Sequence, residues 1–487
     1  MVLNFRLILK IVAIVIVIVA LAMIPSFVVA ILYGEYSTGI AFLKSIIPIL
    51  SIGLLLTYFS KPSRLTIRIR DGLLIVGLSW ILAALCSAIP FFISGSIPNF
   101  ADAFFECASG YSTTGATILP DIESLPKSML FWRSFTHWLG GMGILIFAIA
   151  ILPSLGIGGV RIADAESPGP TLDKITPKMS DTAKILYFMY FGMTLIETIL
   201  LLLGGMNLFD ALIHSFGSVA TGGFSSYNNS IAHFDSLYIE IVITFFMVMA
   251  GVNFTLYYMV LQGNWKDFFR DQELRAYFSI IGVSIILITI ILFIFNTCES
   301  IFEGLRLSVF QVASIITTTG FSTTDFNLWP SACKFILFLL MLIGGCSAST
   351  SGAIKVVRIV IFFKLIRRGF YKRLHSKAVV PIKLNDKNVP SDTVSNIVSF
   401  IFLYISLFLI GTFIVCLENV DLITAATSVA TCLGNVGPGF EMIGPLSNFS
   451  LFSNPTTVLL GFFMIAGRLE LFTLLLLLSP SFWNPDR

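Results

Sequence analysis

Ser112-Thr113-Thr114-Gly115-Ala116-Thr117 decides how this chain reads, because blurred copies of it recur three more times. Thr221-Gly222-Gly223-Phe224-Ser225 is the second copy and Thr318-Thr319-Gly320-Phe321-Ser322 the third. Gly434-Asn435-Val436-Gly437-Pro438, the fourth, has drifted furthest. Aligned on Gly115, Gly223, Gly320 and Gly437, a small residue lies six positions upstream each time: Ser109, Gly217, Ser314 and Thr431. A second small-residue marker follows inside an apolar run, at Gly140-Gly141, Ala250-Gly251, Gly344-Gly345 and Ala466-Gly467. Four similar units in one chain suggest four-fold pseudosymmetry about a shared axis. A short Thr/Gly loop repeated around an axis in a membrane builds a ring of backbone carbonyls that can replace an ion's water.

The surroundings of these loops are apolar. The 487 residues are 56% hydrophobic and 12% charged, with a mean hydropathy of +0.93, where a soluble protein carries roughly 25% charged residues. The chain therefore reads as an all-α polytopic membrane protein in a lipid bilayer. Its net charge of +3 is too small to imply a nucleic-acid partner. Seven cysteines (Cys86, Cys107, Cys298, Cys333, Cys346, Cys416, Cys432) show neither disulfide nor metal spacing and read as small apolar fillers.

Residues 1–31 place Arg6 and Lys10 ahead of an apolar run. At about 20 residues that run is too long for a signal peptide's core, and it reads as an uncleaved transmembrane helix. A second span covers 41–59, and the basic loop of Lys61, Arg64, Arg68 and Arg70 then lies in the cytoplasm by the positive-inside rule. After this N-terminal pair (1–70), four units follow at 71–160, 161–265, 266–375 and 376–487. Each unit reads as a span, a re-entrant helix, a Thr/Gly loop and a returning span. The spans are 72–92 and 130–152, 185–203 and 237–261, 277–295 and 335–363, and 394–416 and 458–478. The re-entrant helices, 98–110, 210–218, 303–316 and 421–432, are too short to cross about 30 Å of hydrocarbon. A polar link at 161–184 carries Lys174, Lys178 and Pro168-Gly169-Pro170, and a basic loop at 264–275 carries Lys266, Arg270 and Arg275. Lys364, Arg367, Arg368, Lys372, Arg373 and Lys377 form the densest basic run. The reading totals ten transmembrane helices with both termini cytoplasmic. Asp121, Glu123, Asp235, Asp325 and Glu441 give the opposite side a mildly acidic mouth that concentrates cations.

Each re-entrant helix starts near an acidic residue (Asp102, Asp210, Glu303, Asp421), favourable at a helix N-terminus. Its negative dipole end then aims at the loop. Consecutive carbonyls facing one axis need backbone angles that a Cβ resists, hence the glycines. The candidate ion ligands are Thr113, Thr114 and Gly115; Thr221, Gly222 and Gly223; Thr318, Thr319 and Gly320; and Asn435, Val436 and Gly437. Oxygen ligands without a carboxylate suit a monovalent ion that must also leave. One such loop could be a mere turn, but four at matching places argue against it.

Almost the whole chain resembles the Trk/Ktr/HKT superfamily of potassium transporters, in its TrkH-type bacterial branch. The runs that carry the resemblance are Ser109-Gly110-Tyr111-Ser112-Thr113-Thr114-Gly115-Ala116-Thr117 and His137-Trp138-Leu139-Gly140-Gly141-Met142-Gly143, with Ala220-Thr221-Gly222-Gly223-Phe224-Ser225 and Gly434-Asn435-Val436-Gly437-Pro438-Gly439. The resemblance implies gated K+ uptake across the bacterial inner membrane through a central pore in each subunit of a homodimer. It also implies a cytoplasmic nucleotide-binding (NAD/ATP-type) regulatory subunit. K+ is then the transported ion, and no organic cofactor is expected in this chain. No strand followed by Gly-x-Gly-x-x-Gly and a helix is read here, so nucleotide sensing falls to the partner. Each loop keeps one shared glycine where channel filters carry Thr-Val-Gly-Tyr-Gly, so fewer well-formed ion sites are expected.

Gly344-Gly345-Cys346-Ser347-Ala348-Ser349-Thr350-Ser351-Gly352 interrupts an apolar span. Small and polar residues do not favour a continuous helix. Such a break lines a water path or packs small residues against a neighbour. The resemblance implies that this segment lies under the filter and gates it. Arg468 stands inside 462–478, where an unpaired cation costs roughly 2.5–3.5 kcal/mol. It shares its register with Met142, Val252 and Cys346 and so reads as a fixed pore charge; the other reading pairs it with Glu470 or Glu106. Lys355 could serve the pore or cap carbonyls of the broken segment. Glu106, His214, Gln311 and Ser428, nine residues before each loop glycine, are expected to hydrogen-bond behind the loops. Glu197 and Asn253 are further polar residues in apolar surroundings, and His137 and His233 read as interfacial. A cation-coupled secondary transporter also uses broken helices, but expects two pseudo-symmetric halves rather than four units. An enzyme finds no Ser/Lys dyad, His-Glu-x-x-His or paired intramembrane aspartates.

Overall fold

The computed structural model describes residues 3–62, 66–143 and 179–484. Arg64, the second part of the 130–152 span, and the 161–184 link up to Lys178 lie outside the described residues. In chain order α1 (Phe5–Ala22), α2 (Ile24–Leu32) and α3 (Tyr36–Phe59) precede the repeats. The first repeat contains α4 (Ile69–Ser94), α5 (Phe100–Tyr111) and α6 (Lys127–Gly141). The second contains α7 (Met179–Leu203), α8 (Leu208–Val219), α9 (Leu237–Ala250) and α10 (Phe254–Leu261), followed by α11 (Trp265–Arg270). The third contains α12 (Gln272–Ile294), α13 (Ile301–Ile316), α14 (Ser331–Ile343) and α15 (Val356–Leu374). A hairpin of β1 (Lys383–Leu384) and β2 (Lys387–Asn388) leads to α16 (Ser391–Cys416), α17 (Leu422–Gly434), α18 (Asn454–Arg468), α19 (Phe472–Leu478) and α20 (Pro480–Trp483).

Six of the described spans are long and apolar enough to cross a membrane, or seven if the bent pair α9–α10 counts as one. Their outward faces carry large exposed apolar side chains such as Phe188, Phe402 and Leu203, which lipid tolerates and water does not. α1 packs on α3 and α4, so the N-terminal pair flanks the first repeat.

The short helices α5, α8, α13 and α17 begin at side-chain caps. Asn99, Asn207, Ser300 and Asp421 accept from the amides of Ala101, Asp210, Glu303 and Thr424, satisfying donors that a helix start leaves orphaned. The acidic residues Asp102, Asp210 and Glu303 sit in the first turn rather than at the cap, while Asp421 is itself the cap. Each short helix packs against the long helix before it: α5 on α4, α8 on α7, α13 on α12, α17 on α16. Each also packs on the returning helix of the preceding repeat: α5 on α18, α8 on α6, α13 on α9, α17 on α14.

The returning helices differ from the sequence reading, which broke only the third. α6 ends at Gly141, α9 at Ala250, α14 at Ile343 and α18 at Arg468, all at the small-residue marker. α9 and α10 meet at 93°, and α18 and α19 are parted by Leu469-Glu470-Leu471, with φ of 55° and 60° at the last two. The marker glycines sit against the ends of the short helices. An added Cβ on Gly140 would lie 1.9 Å from the Tyr111 carbonyl oxygen, and one on Gly467 2.1 Å from that of Leu433. Lipid is as apolar as leucine, so close approach through small residues, not apolar burial, selects how these helices meet. The basic stretch at 264–275, read as a loop, is also largely helical, with α11 over Trp265–Arg270 and α12 opening at Gln272. Likewise, α15 carries the basic run from Lys364 in helical form to Leu374, as the helix preference of Lys and Arg allows.

Candidate functional site

Each short helix ends in the same turn. The residue two before the loop glycine is left-handed: Thr113 at φ 54°, Thr221 at 56°, Thr318 at 59° and Asn435 at 55°. The next amide then donates to the small residue six before the glycine. These bonds run from Thr114 to Ser109 (2.9 Å), Gly222 to Gly217 (2.7 Å), Thr319 to Ser314 (2.8 Å) and Val436 to Thr431 (3.0 Å). This is the 6→1 bond of a Schellman helix end. It explains why the upstream marker recurs at that spacing. Glycine or asparagine normally takes the left-handed place; a β-branched threonine there is strained, by about 1–3 kcal/mol, and must be held by its surroundings.

The four loops hold one another. The glycines follow with φ of 82°, 77°, 85° and 102°. A Cβ on Gly115 would lie 2.1 Å from the Gly222 carbonyl oxygen, and on Gly223 1.9 Å from that of Thr319. On Gly320 it would lie 2.2 Å from the Val436 oxygen, and on Gly437 2.6 Å from that of Thr114. Each glycine is thus seated on the carbonyl preceding the next loop's glycine, and the fourth returns to the first. Asn435 Nδ2 also donates to Thr114 Oγ1 (3.1 Å) and to the Met464 carbonyl (2.8 Å). Thr113 Oγ1 and Asn435 Oδ1, at equivalent positions of the first and fourth loops, are buried with no hydrogen-bond partner among the described residues.

The second loop departs from the others at Gly222 because His137 fills the space a side chain would need: an added Cβ would lie 2.4 Å from its Cγ. His137 is fully buried rather than interfacial. Its Nδ1 bonds the Gly110 carbonyl at 2.7 Å, its Nε2 accepts from the Phe224 amide at 3.2 Å, and its ring stacks on Phe224 at 4.0 Å. The neutral ring with the proton on Nδ1 satisfies both bonds. His233 is exposed and stacks on Tyr227 at 3.5 Å.

Three of the four residues nine before a loop glycine brace the chain just past it. Glu106 accepts from Thr117 Oγ1 (3.0 Å) and the Ile118 amide (2.9 Å), and His214 Nε2 meets Ser225 Oγ at 3.0 Å. Gln311 Nε2 reaches Thr323 Oγ1 at 3.4 Å. Ser428 instead donates to Thr424 of its own helix, and its neighbour Thr427 accepts from the Phe440 amide (3.2 Å). Glu197 accepts from Ser218 Oγ on α8 at 2.5 Å, and Asn253 caps α10. Glu106 also pairs with Arg133, which the sequence reading passed over although it is a cation inside an apolar run. Arg133 donates further to the Ser225 carbonyl (3.1 Å) and lies 3.4 Å over the Phe224 ring. Glu106→Ala leaves that guanidinium buried and unpaired. It should lower stability by about 3–5 kcal/mol, read as earlier thermal loss of monodisperse protein in detergent. Arg133→Met added to it should restore part of the loss, and no restoration would refute the pairing.

A cavity of about 90 Å³ has Gly115, Gly223, Gly320 and Gly437 in its wall, with Arg133 and Tyr227. Burial, then the Asp210 carboxylate that accepts its hydrogen bond, pushes the Tyr227 phenol up to about 12, so it stays neutral there. The acidic residues expected at a mouth tie neighbouring repeats together: Asp121 and Glu123 hold Asn228, and Glu441 pairs with Lys334 at 3.0 Å. Asp325 caps a short turn, and Asp235 lies 3.8 Å from Arg306.

A second cavity, of about 120 Å³, is lined by Gly141, Ala348, Ser349, Ser351, Lys355 and Arg468. Residues 344–355 link α14 to α15 without helix, and Ala348, Ala353 and Lys355 have φ of 49°, 60° and 80°. The segment is tied on several sides. Cys346 N donates to the Gly251 carbonyl (2.9 Å), and the Ala348 carbonyl accepts from Phe254 N (3.0 Å). Thr350 Oγ1 donates to Ala250 (3.1 Å) and Val219 (3.2 Å), and Gly352 N to Thr318 Oγ1 (2.8 Å). The last bond joins the segment to the third loop. An added Cβ on Gly345 would lie 2.2 Å from Ser351 Oγ, so the segment also folds on itself. Ser347 is held by Glu273.

Arg468 donates to the carbonyls of Thr350, Gly140 (3.0 Å) and Gly141 (2.5 Å), so it staples this segment to the end of α6. Glu470 pairs with Arg358, and Glu106 with Arg133. Lys355 Nζ donates to the Ser351 carbonyl at 3.0 Å, which is the capping reading of that residue. Among the described residues no cluster of His, Cys, Asp and Glu could hold a metal, and the seven cysteines are free.

The profile of the TrkH family, described as cation transport protein, matches residues 38–484. The Trk system potassium uptake protein TrkH of Escherichia coli K12 is 36% identical over 485 residues, 99% of this chain and 100% of that protein. The TrkG protein of the same strain, also named a Trk system potassium uptake protein, is 35% identical over 470 residues, 96% of each chain. The crystal structure of the potassium transporter TrkH from Vibrio parahaemolyticus superposes with a TM-score of 0.88 at 33% identity, covering 99% of this chain and 100% of that one.

Proposed function

This chain belongs to the TrkH family of cation transport proteins, and from that premise we propose that it carries K+, and with it Rb+, into the bacterial cell through a pore of its own. The four loops form the selectivity filter: the carbonyls of Thr114, Gly222, Thr319 and Val436, with the oxygens at Thr113, Thr221, Thr318 and Asn435, replace the ion's water. The observation that carries this is the closed seating of Gly115, Gly223, Gly320 and Gly437, each on the next loop's carbonyl. No carboxylate stands in that ring, which suits an ion that must leave again. Residues Gly345 to Gly352 act as the gate between the filter and the cytoplasm, and Arg468 holds a fixed positive charge against it. Four repeats with eight crossings surround the pore after the N-terminal pair, ten in all, with both termini in the cytoplasm of the inner membrane. The active form is a homodimer opened by a cytoplasmic nucleotide-binding subunit. The relatives are named as uptake proteins, and no catalytic step is needed.

Rubidium uptake into proteoliposomes of the purified protein, with K+ and Na+ as competitors, tests this reading. K+ should compete at least tenfold better than Na+, the discrimination that about 1.4 kcal/mol supports. Equal competition would leave a pore but remove the selective filter. If the protein alone stays shut, the same competition is run on the variant lacking Cys346–Ser349.

A further inference from the structure

Asp271-Gln272-Glu273 opens α12, and three consecutive side chains reach three different parts of the molecule. Asp271 accepts from Leu274 N as the cap of α12 (2.7 Å) and from Asn385 Nδ2 at the hairpin (2.6 Å). Gln272 donates its amide to Asn385 Oδ1 (2.8 Å), while its side-chain oxygen accepts from Lys364 of α15. Glu273 turns inward and is 5% exposed. Its Oε1 accepts from Ser347 N (2.6 Å) and Val357 N (3.1 Å), and its Oε2 from Ser347 Oγ (2.6 Å). Val357 lies in the first turn of α15, whose own cap position, Lys355, offers no side-chain acceptor. The Val357 amide, one of those a helix start leaves unpaired, is therefore served by a carboxylate from another helix, at the positive end of the dipole.

We propose that Glu273 is the positioning residue that latches residues 344–355 shut, and that Asp271-Gln272-Glu273 is the route by which force on the hairpin or α15 releases them. This rests on reading that segment as the gate. One carboxylate holds both the segment, at Ser347, and the helix that follows it, at Val357. A shift of α15 or of the hairpin pulls on Lys364 or Asn385, and so on the residues adjoining the latch. Hydrogen bonds to a charged acceptor are stronger than those between neutral groups, which suits a latch that must hold until it is pulled.

The test compares Rb+ flux through proteoliposomes of the full chain, without partner, for the parent, Glu273→Ala, Glu273→Gln, Ser347→Ala and the deletion of Cys346–Ser349. Glu273→Ala should raise flux by about tenfold or more, the scale expected when bonds to a charged group are lost. Glu273→Gln should raise it less, because its oxygen still accepts from both N–H groups while its NH2 faces the Ser347 hydroxyl, which can accept, so that only the charge is lost. Maleimide labelling of Cys346, buried in the parent, should quicken in the same order while buried Cys333 of α14 stays protected. If Glu273→Ala exposes Cys333 as well, Glu273→Gln and Ser347→Ala decide. The latch is overturned if the deletion raises flux while these variants leave both flux and Cys346 labelling at the parent level. If the deletion itself changes nothing, the gate reading fails first, and the two failures are told apart.

Discussion

Gly223→Ala should abolish measurable Rb+ uptake while the protein remains folded and monodisperse. Gly223 has φ 77° and its added Cβ would lie 1.9 Å from the Thr319 carbonyl oxygen, the closest approach of the four loop glycines. The left-handed backbone costs an L-residue roughly 1–2 kcal/mol, which the surrounding packing can absorb. The collision cannot be absorbed, because its partner is backbone rather than the end of a flexible side chain. Either the Thr319 carbonyl turns away or the second loop backs off, and the ring loses an oxygen. Losing one contact to a charge is worth roughly 1.5–3 kcal/mol, about ten- to hundredfold in ion occupancy. The displacement also spreads, because Gly320 is seated in turn against Val436. Gly192→Ala is the control: it is helical with nothing within 4 Å of an added Cβ, and should transport as the parent does. Flux in Gly223→Ala within twofold of that control would sink the carbonyl-ring reading.

Deleting Cys346–Ser349 should produce Rb+ flux without any partner. The deletion removes the bonds from Cys346 to Gly251, from Phe254 to Ala348 and from Ser347 to Glu273. At about 1 kcal/mol each their loss amounts to about 3–4 kcal/mol. That is enough to move a shut segment's equilibrium on the order of a hundredfold toward open. Thr350 remains tied to Arg468, and Gly352 to Thr318, so the third loop keeps its tie to the segment and K+ should still outcompete Na+. Flux that stays at the parent level would count against the segment as a barrier. Raised flux with no preference for K+ would mean that the segment also shapes the filter.

Much of this arrangement was legible in the chain. The loops stand out because a helix end that turns through a left-handed residue and a glycine needs a fixed local pattern. A small residue six positions before the glycine, a turn residue two before it and the glycine itself recur together in all four copies. The short helices were legible for a similar reason: their length and their caps are set within a few residues. The downstream marker was visible too, but its meaning was not. Gly140 and Gly467 read equally well as packing glycines in continuous spans, and only their approach to Tyr111 and Leu433 shows why the returning helices stop there.

The partners of the polar residues were decided elsewhere. Glu106 finds Arg133, Glu470 finds Arg358, and Glu273 finds Ser347, at separations of 27, 112 and 74 residues. Arg468, two residues from Glu470, turns to carbonyls of α6 and of the 344–355 segment instead. Spacing along a helix says which face a side chain occupies but not what another helix brings to that face. His137 shows the same limit: nothing near it in the chain tells that Gly222 will lie against its ring. The sequence by itself determined the membrane class, the four repeats and the turn at each loop, because backbone angles and helix caps are set by neighbours along the chain. The seating of one loop on the next, the breaks in the returning helices and the bonds of Glu273 to Ser347 and Val357 were decided by tertiary structure, because each depends on how helices far apart in sequence dock.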